Sequence, residues 1–314
     1  MRRRLILKRR GELTEEELRI IKKKITDDEA FDKFFKDCYI KNLRPATIEY
    51  YKNEFHGAKK IIKKQLVDWE QKDIEDLILQ SKQIMKVTTI NTRLRALRAF
   101  YNYLYKNKLT EKNPMKNIKL LRDRQKTIET LDNQEIEKLI KTIRKNKMFI
   151  NFRDEVILLI LLDTGVRLSE LVGINVEDVR GNKIIIRKTK NLFERTVYLS
   201  ETTQGQLERY IKIRGEVETN KLFISQDNKE LNPHSIQTRL TKYGKEAKIN
   251  KRVSPHTFRH TMAKRMIVSG VDAFSLMHLL GHTDITVTKR YVNLWGQDLE
   301  KKHRLHGALR GLNL

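Results

Sequence analysis

Between residues 28 and 121 the apolar positions recur every three or four residues, the spacing of helices that each bury one stripe. Phe31, Phe34, Phe35 and Cys38 mark the first stripe, and Ile48, Tyr51 and Phe55, following Pro45, mark the second. The segment DWEQKDIEDLILQS forms a third helix, capped near Asp68 or Asp73. Ile90, Leu94, Leu97, Tyr101 and Leu104 form the core face of a fourth. Arg93, Arg95 and Arg98 fall outside that stripe, so this helix can present arginines to a nucleic-acid groove; an ordinary charged surface helix is the alternative. Asn113-Pro114 breaks the helix, because a residue before proline is pushed out of the helical region.

The periodicity then lapses, and residues 117–129 are expected to be a linker between two domains. Asp132 and Glu135 have the spacing of a capping box that restarts a helix. Residues 156–162 are apolar all round, which predicts a central buried helix ending at Thr164-Gly165, with Arg167 directly after it. A guanidinium at a buried helix end is costly unless it meets an anion, and Glu170 is the nearest candidate. The stretch GNKIIIRKTKNLFERTVYLS predicts a β-hairpin turning near Asn191-Leu192, with Lys188 and Lys190 beside the turn. KLFIS at 221–225 is expected as a third strand, and Asn232-Pro233 as the start of another helix.

The stretch SPHTFRHTMAKRMIVSGVDAFSLMHLLGHTDITVTKRY, 254–291, holds the densest chemistry. Ser254-Pro255 reads as a helix start and Gly270 as its stop; His256 and Arg259 share one face, while Phe258, Met262 and Met266 share the apolar one. Asp272 caps a second helix that Gly281 ends, releasing His282, and a third short helix carries Tyr291. Such a helix–turn–helix–turn–helix gathers donors, two imidazoles and a phenol in one volume, groups suited to a phosphate.

Charge sharpens that expectation. The chain of 314 residues carries Lys+Arg 66 against Asp+Glu 40, a net charge of +26, spread over both halves. A field of that extent fits a protein that surrounds a polyanion, most simply nucleic acid. The single cysteine, Cys38, excludes an internal disulfide and a cysteine zinc cluster. The pairs His256/His260 and His278/His282 have i,i+4 spacing that suits zinc, but a cationic Arg259 between ligands opposes a metal, so His260 and His278 are read as structural. No glycine-rich nucleotide loop is present, and no cofactor is expected. No apolar run reaches membrane-spanning length, and Leu5-Ile6-Leu7 is too short for a signal peptide, so a cytoplasmic protein with no membrane partner is expected.

TGVRLSEL, KTKNLFERTVYL, SPHTFRHTMA and LLGHTDITVTKRY, in that order, resemble the tyrosine recombinase (phage integrase) family, over about 130–295. The helical segment before them is similar to that family's core-binding domain. The resemblance implies a mainly α fold with a small antiparallel β-sheet: an N-terminal helical, SAM-like core-binding domain and a C-terminal catalytic domain. The expected division is an arm and helix at 1–27, the core-binding domain at 28–116, the linker at 117–129, the catalytic domain at 130–295 and a tail at 296–314. The resemblance further implies six catalytic residues: Arg167, Lys190, His256, Arg259, His282 and Tyr291. Lys190 is preferred over Lys188 because it stands four residues before Glu194-Arg195.

On this pattern Tyr291 attacks a DNA phosphodiester, the two arginines and His282 hold the phosphate, His256 exchanges the nucleophile's proton, and Lys190 protonates the leaving 5′-oxygen. A 3′-phosphotyrosyl intermediate and a homotetramer on two duplexes at a recombination site are implied, without metal or nucleotide. The tail, with Leu299, Leu305 and Leu309, is implied to dock on a neighbouring protomer, its own domain being the alternative. Two other functions share these features: a non-catalytic DNA-binding regulator on the same fold, and a type IB-like topoisomerase.

Overall fold

A computed structural model of the chain describes residues 25–123, 128–187 and 194–295. The expected basic arm, the hairpin turn with Lys188 and Lys190, and the tail after residue 295 lie outside the described residues. The chain divides into two compact units, Met1–Lys126 and Thr127–Leu314.

The first unit is a helical bundle. Helix α1 (Asp27–Ile40) begins at a capping box in which the Thr26 hydroxyl accepts from the Glu29 N–H while the Thr26 N–H donates to the Glu29 carboxylate. Pro45 opens α2 (Pro45–Ile61), and Glu70 with Asp73 caps α3 (Gln71–Ile84). The longest helix, α4 (Val87–Lys106), supplies Leu94, Leu97, Phe100 and Leu104, all fully buried. Phe55 stacks on Phe31 at 5.5 Å between centroids and lies 4.9 Å from Phe100, so aromatic rings from α1, α2 and α4 form one cluster. Cys38 is buried there, and burial together with the Asp37 charge raises its thiol pKa.

The arginines of α4 correct one expectation. Arg93 is not outside the buried stripe: it is 8% exposed, its Nε donates to Glu54 at 3.1 Å, and its guanidinium occupies the space left by the missing side chain of Gly57. A buried guanidinium needs its acid, and Glu54 on α2 supplies it. Arg98 donates to the Ile118 carbonyl at 2.6 Å, and Asn91 exchanges two hydrogen bonds with the Leu121 backbone. The chain expected to begin a linker at 117 thus still packs on the bundle through Leu121. Arg95 alone of the three is exposed.

The second unit is built round α6 (Phe149–Thr164), where Val156, Ile157, Leu158, Ile160 and Leu161 are all fully buried. Helix α5 (Asn133–Arg144), started by the Asp132/Glu135 capping box, packs on it. A one-turn helix, α7 (Leu168–Leu171), follows. The sheet is antiparallel with order β1-β2-β3: β1 (Val179–Arg180), β2 (Lys183–Ile186) and β3 (Arg195–Tyr198), with Ile184 opposite Val197 and Ile186 opposite Arg195. Its third strand therefore precedes the hairpin. Residues 221–225 form only isolated bridges, Asn175 to Lys221 and Ile224 to Glu230; Leu222, Phe223 and Ile224 are apolar because they fill the core, not because they extend the ladder.

Helix α8 (Glu201–Arg214), which the sequence pattern did not reveal, is capped by Ser200 and buries only Thr203, Leu207 and Tyr210. After α9 (Pro233–Glu246) come α10 (Pro255–Val268), α11 (Ala273–Leu280) and α12 (Ile285–Trp295), with the expected caps at Ser254 and Asp272. Among the described residues no helix is long and apolar enough to cross a membrane.

Phe55→Ala should lower the stability of the first unit by about 3–5 kcal/mol, the cost of emptying a large aromatic site. Chemical denaturation of the full chain, followed by circular dichroism, checks this through an earlier first transition.

Candidate active site

Two helix ends and one buried acid position the guanidiniums. Helix α6 stops at Gly165 (φ 62°) and α11 at Gly281 (φ 63°), both left-handed positions that favour glycine. Their last carbonyls, at the negative end of each helix, become acceptors. Arg259, on α10 and only 5% exposed, donates to the Gly165 carbonyl at 2.5 Å and to the Leu280 carbonyl at 2.7 Å. Arg167, the residue before α7, reaches the Gly281 carbonyl with both terminal nitrogens at 3.4 Å. Arg195, on β3, donates to the Leu279 carbonyl at 3.3 Å.

Glu170 ties two of these arginines together. Its carboxylate accepts from Arg167 at 2.9 Å and from Arg195 at 3.1 and 2.7 Å, and it is 2% exposed. Burial raises its pKa, but the hydrogen bonds from Arg195 and Arg167 outweigh burial and hold it below the ordinary 4.5. Gly281 is fixed by the same cluster, since a Cβ there would stand 2.8 Å from the Arg195 guanidinium. Arg195 was not singled out from sequence as a site residue; its place after Glu194 in the hairpin motif was the only signal. Glu170 pairs with two guanidiniums and, among the described residues, Arg259 has no acid bonded to it, so the cluster is left positive and suited to an anion.

A cavity of about 90 Å³ opens on this cluster, lined by Val166, Arg167, Leu168, Gln237, Pro255, His256 and Arg259. Arg259 is pulled down to about 10, first by burial and then by the Arg167 charge, against the opposing pull of Tyr291 and Glu170. His256 stands exposed beside the cavity, and partial burial with the charges of Arg259, Arg252 and Arg167 lowers its pKa.

His282 emerges from the Gly281 turn as expected. Its Nε2 lies 2.8 Å from Arg259 Nη2, which can only donate, so Nε2 accepts and Nδ1 carries the proton that bonds Thr288 Oγ1 at 2.8 Å. Burial, then Arg259 and Arg167, push its pKa down to about 4. Tyr291, one turn after Thr288 on α12, lies nearly parallel to the His282 ring at 6.3 Å and stacks on Trp295 at 5.6 Å. The phenol is 5% exposed; burial raises its pKa against the opposing pull of Arg259, Arg290 and Arg167.

The phenol's hydrogen-bond partner differs from the expected one. Tyr291 Oη lies 2.8 Å from Nδ1 of His260, the residue read from sequence as structural; no hydrogen bond joins Tyr291 to His256. His256 and His260 are one helical turn apart, and only the former lines the cavity. Arg167, His256, Arg259, His282 and Tyr291 are thus gathered in one region, while Lys190 and Lys188 lie outside the described residues. Among the described residues no group of three or more His, Cys, Asp or Glu side chains is arranged to hold a metal.

Residues 129–297 match the phage integrase family. The chain is 29% identical over 272 residues to the tyrosine recombinase XerC of Vibrio atlanticus, covering 84% of this chain and 87% of the relative. It is 30% identical over 242 residues to that of Vibrio cholerae serotype O1, covering 74% and 77%. Among solved structures, the Tn1549 transposon integrase in complex with transposon right end DNA shares the fold, with a TM-score of 0.74 at 20% identity, over 90% of this chain and 100% of that one.

The Glu170 carboxylate generates a stability prediction with a defined sign. Because its folded pKa is depressed, its contribution is present above pH 4.5 and is lost as the pH falls through the lower folded value. Glu170→Gln should cost about 1.5–3 kcal/mol near neutral pH and remove this part of the acid dependence. Urea unfolding of parent and variant across the acid range measures both.

Proposed function

The chain belongs to the phage integrase family of tyrosine-type site-specific recombinases, and from that premise we propose that it cuts and rejoins duplex DNA through a 3′-phosphotyrosyl link at Tyr291. The observation that carries the reading is the convergence of Arg167 and Arg259 on one small cavity, with the charges of both acting on the Tyr291 phenol.

A DNA phosphodiester brings one negative charge, and more accumulates on its oxygens as the fifth bond to phosphorus forms. The two guanidiniums are already fixed on backbone carbonyls, so they need little reorganisation to meet that charge. His256, at the cavity, faces the same oxygens. His282 accepts from Arg259 in the absence of an anion; a phosphate near Arg259 replaces that acceptor and favours the protonated ring, which then donates.

Tyr291 Oη gives its proton to a histidine of α10 as it attacks phosphorus, the bond to the 5′-oxygen breaks, and that oxygen takes a proton from Lys190 of the hairpin, with Lys188 as the alternative. The free 5′-hydroxyl of a partner strand attacks the phosphotyrosine in the reverse sense, so no metal or nucleotide is consumed. Exchange between two duplexes requires four protomers, hence a homotetramer at a double-stranded recombination site of a mobile element or replicon dimer. Arg95, the exposed arginine of α4, is the proposed groove contact of the first unit. The net charge of +26 makes binding strongly salt-dependent, and the setting for this chemistry is the cytoplasm.

Mapping covalent protein–DNA attachment on genomic DNA gives the site, and the mapped duplex, nicked beside the cut, serves as a suicide substrate. The parent should form an adduct stable to denaturation and Tyr291→Phe should form none. An adduct that persists in Tyr291→Phe would overturn the assignment of the nucleophile.

A further inference from the structure

We propose that His260 is a catalytic residue of this site, accepting the phenolic proton of Tyr291 through Nδ1 as the tyrosine attacks, and returning it when the strand is rejoined. The proposal deepens the function proposed above and rests on it.

Position comes first. His260 Nδ1 is 2.8 Å from Tyr291 Oη, within direct proton-transfer distance, with the rings 5.6 Å apart and tilted by 55°. His256 is one turn away and lines the anion cavity, so the two histidines of α10 divide the work: one meets the phosphate, the other meets the nucleophile. The phenol is buried beside Arg259 and stacked on Trp295, which leaves His260 as the hydrogen-bonding side chain seen on its oxygen.

Charge state comes second. His260 is held at about 4 by burial and by the electrostatics of His256, Arg259 and Arg290, so near neutral pH the ring is neutral and has a lone pair to offer. Among the described residues, those groups from α10 and α12 are the charges that act on it, and Tyr291 of α12 is bonded to it. A ring this weakly basic does not ionise a resting phenol. Transfer becomes favourable only as the Oη–phosphorus bond forms, because the phenol oxygen then grows acidic while the bound phosphate's charge favours an imidazolium. The balance is complete: the Oη–phosphorus bond forms, the phosphorus–5′-oxygen bond breaks, the phenolic proton passes to His260, and the leaving oxygen takes its proton from the hairpin lysine.

The test is single-turnover cleavage of the nicked duplex against pH, with parent, His260→Ala and His260→Gln, each checked for parental DNA binding and circular dichroism. A second substrate carries sulfur in place of the scissile 5′-oxygen, which leaves without needing an acid. His260→Ala is expected to cleave about 100-fold more slowly, to gain rate as pH rises towards the phenol's range, and to stay slow on the sulfur substrate. His260→Gln, which keeps an acceptor but no base, should bind DNA like the parent and share that pH profile. The proposal is overturned if either variant cleaves at the parental rate, if the loss keeps the parental pH profile, or if sulfur restores the rate. A parent that forms no adduct at Tyr291 would instead overturn the function from which the proposal starts, and the proposal with it.

Discussion

The site depends on burying arginine side chains at places where a helix has run out of hydrogen-bond donors. The last carbonyls of a helix lack intrahelical partners and carry the negative end of its dipole. Here those carbonyls, at Gly165 and at residues 279–281, are met by Arg259, Arg195 and Arg167. A guanidinium has five donors in a plane, so it can satisfy orphaned acceptors on one edge and keep another edge for a ligand. The arrangement solves two problems at once: the Gly165, Leu279, Leu280 and Gly281 carbonyls gain donors, and positive charge is held where an anion can reach it.

Glu170 sets the limit on that charge. One carboxylate among three guanidiniums fixes Arg167 and Arg195 in place without neutralising the cluster. The depressed values of Arg259, His256, His260 and His282 all have burial as the largest cause and neighbouring arginines among the others. On the proposed function, the charge of an incoming phosphate offsets the like-charge repulsion among these groups.

Much of this was legible from residue order. The caps at Ser254 and Asp272, the stops at Gly165 and Gly281, and the all-apolar run of α6 are local signals, and each marks its element correctly. The signals that failed were those set by partners distant in sequence. Arg93 stands three residues after Ile90 and four before Leu97, on the buried face of α4, but its charge argued for solvent; Glu54 and Gly57, far away in the chain, make room for it inside. KLFIS has the composition of a strand, but core packing accounts for its apolar residues. Helix α8 buries too few apolar residues to announce itself. His256 and His260 lie one turn apart on α10, and only the approach of α12 distinguishes which of them meets Tyr291.

The hydrogen bond from His282 Nδ1 to Thr288 links the turn after α11 to the helix that carries Tyr291, and Thr288 is completely buried. The His282 imidazole and the Tyr291 phenol are therefore fastened to the same rod, one turn apart. On the proposed function, any displacement of α12 moves the Tyr291 oxygen and in the same motion breaks the bond that holds the His282 ring. On that reading the phenol and the imidazole keep or lose their placement together.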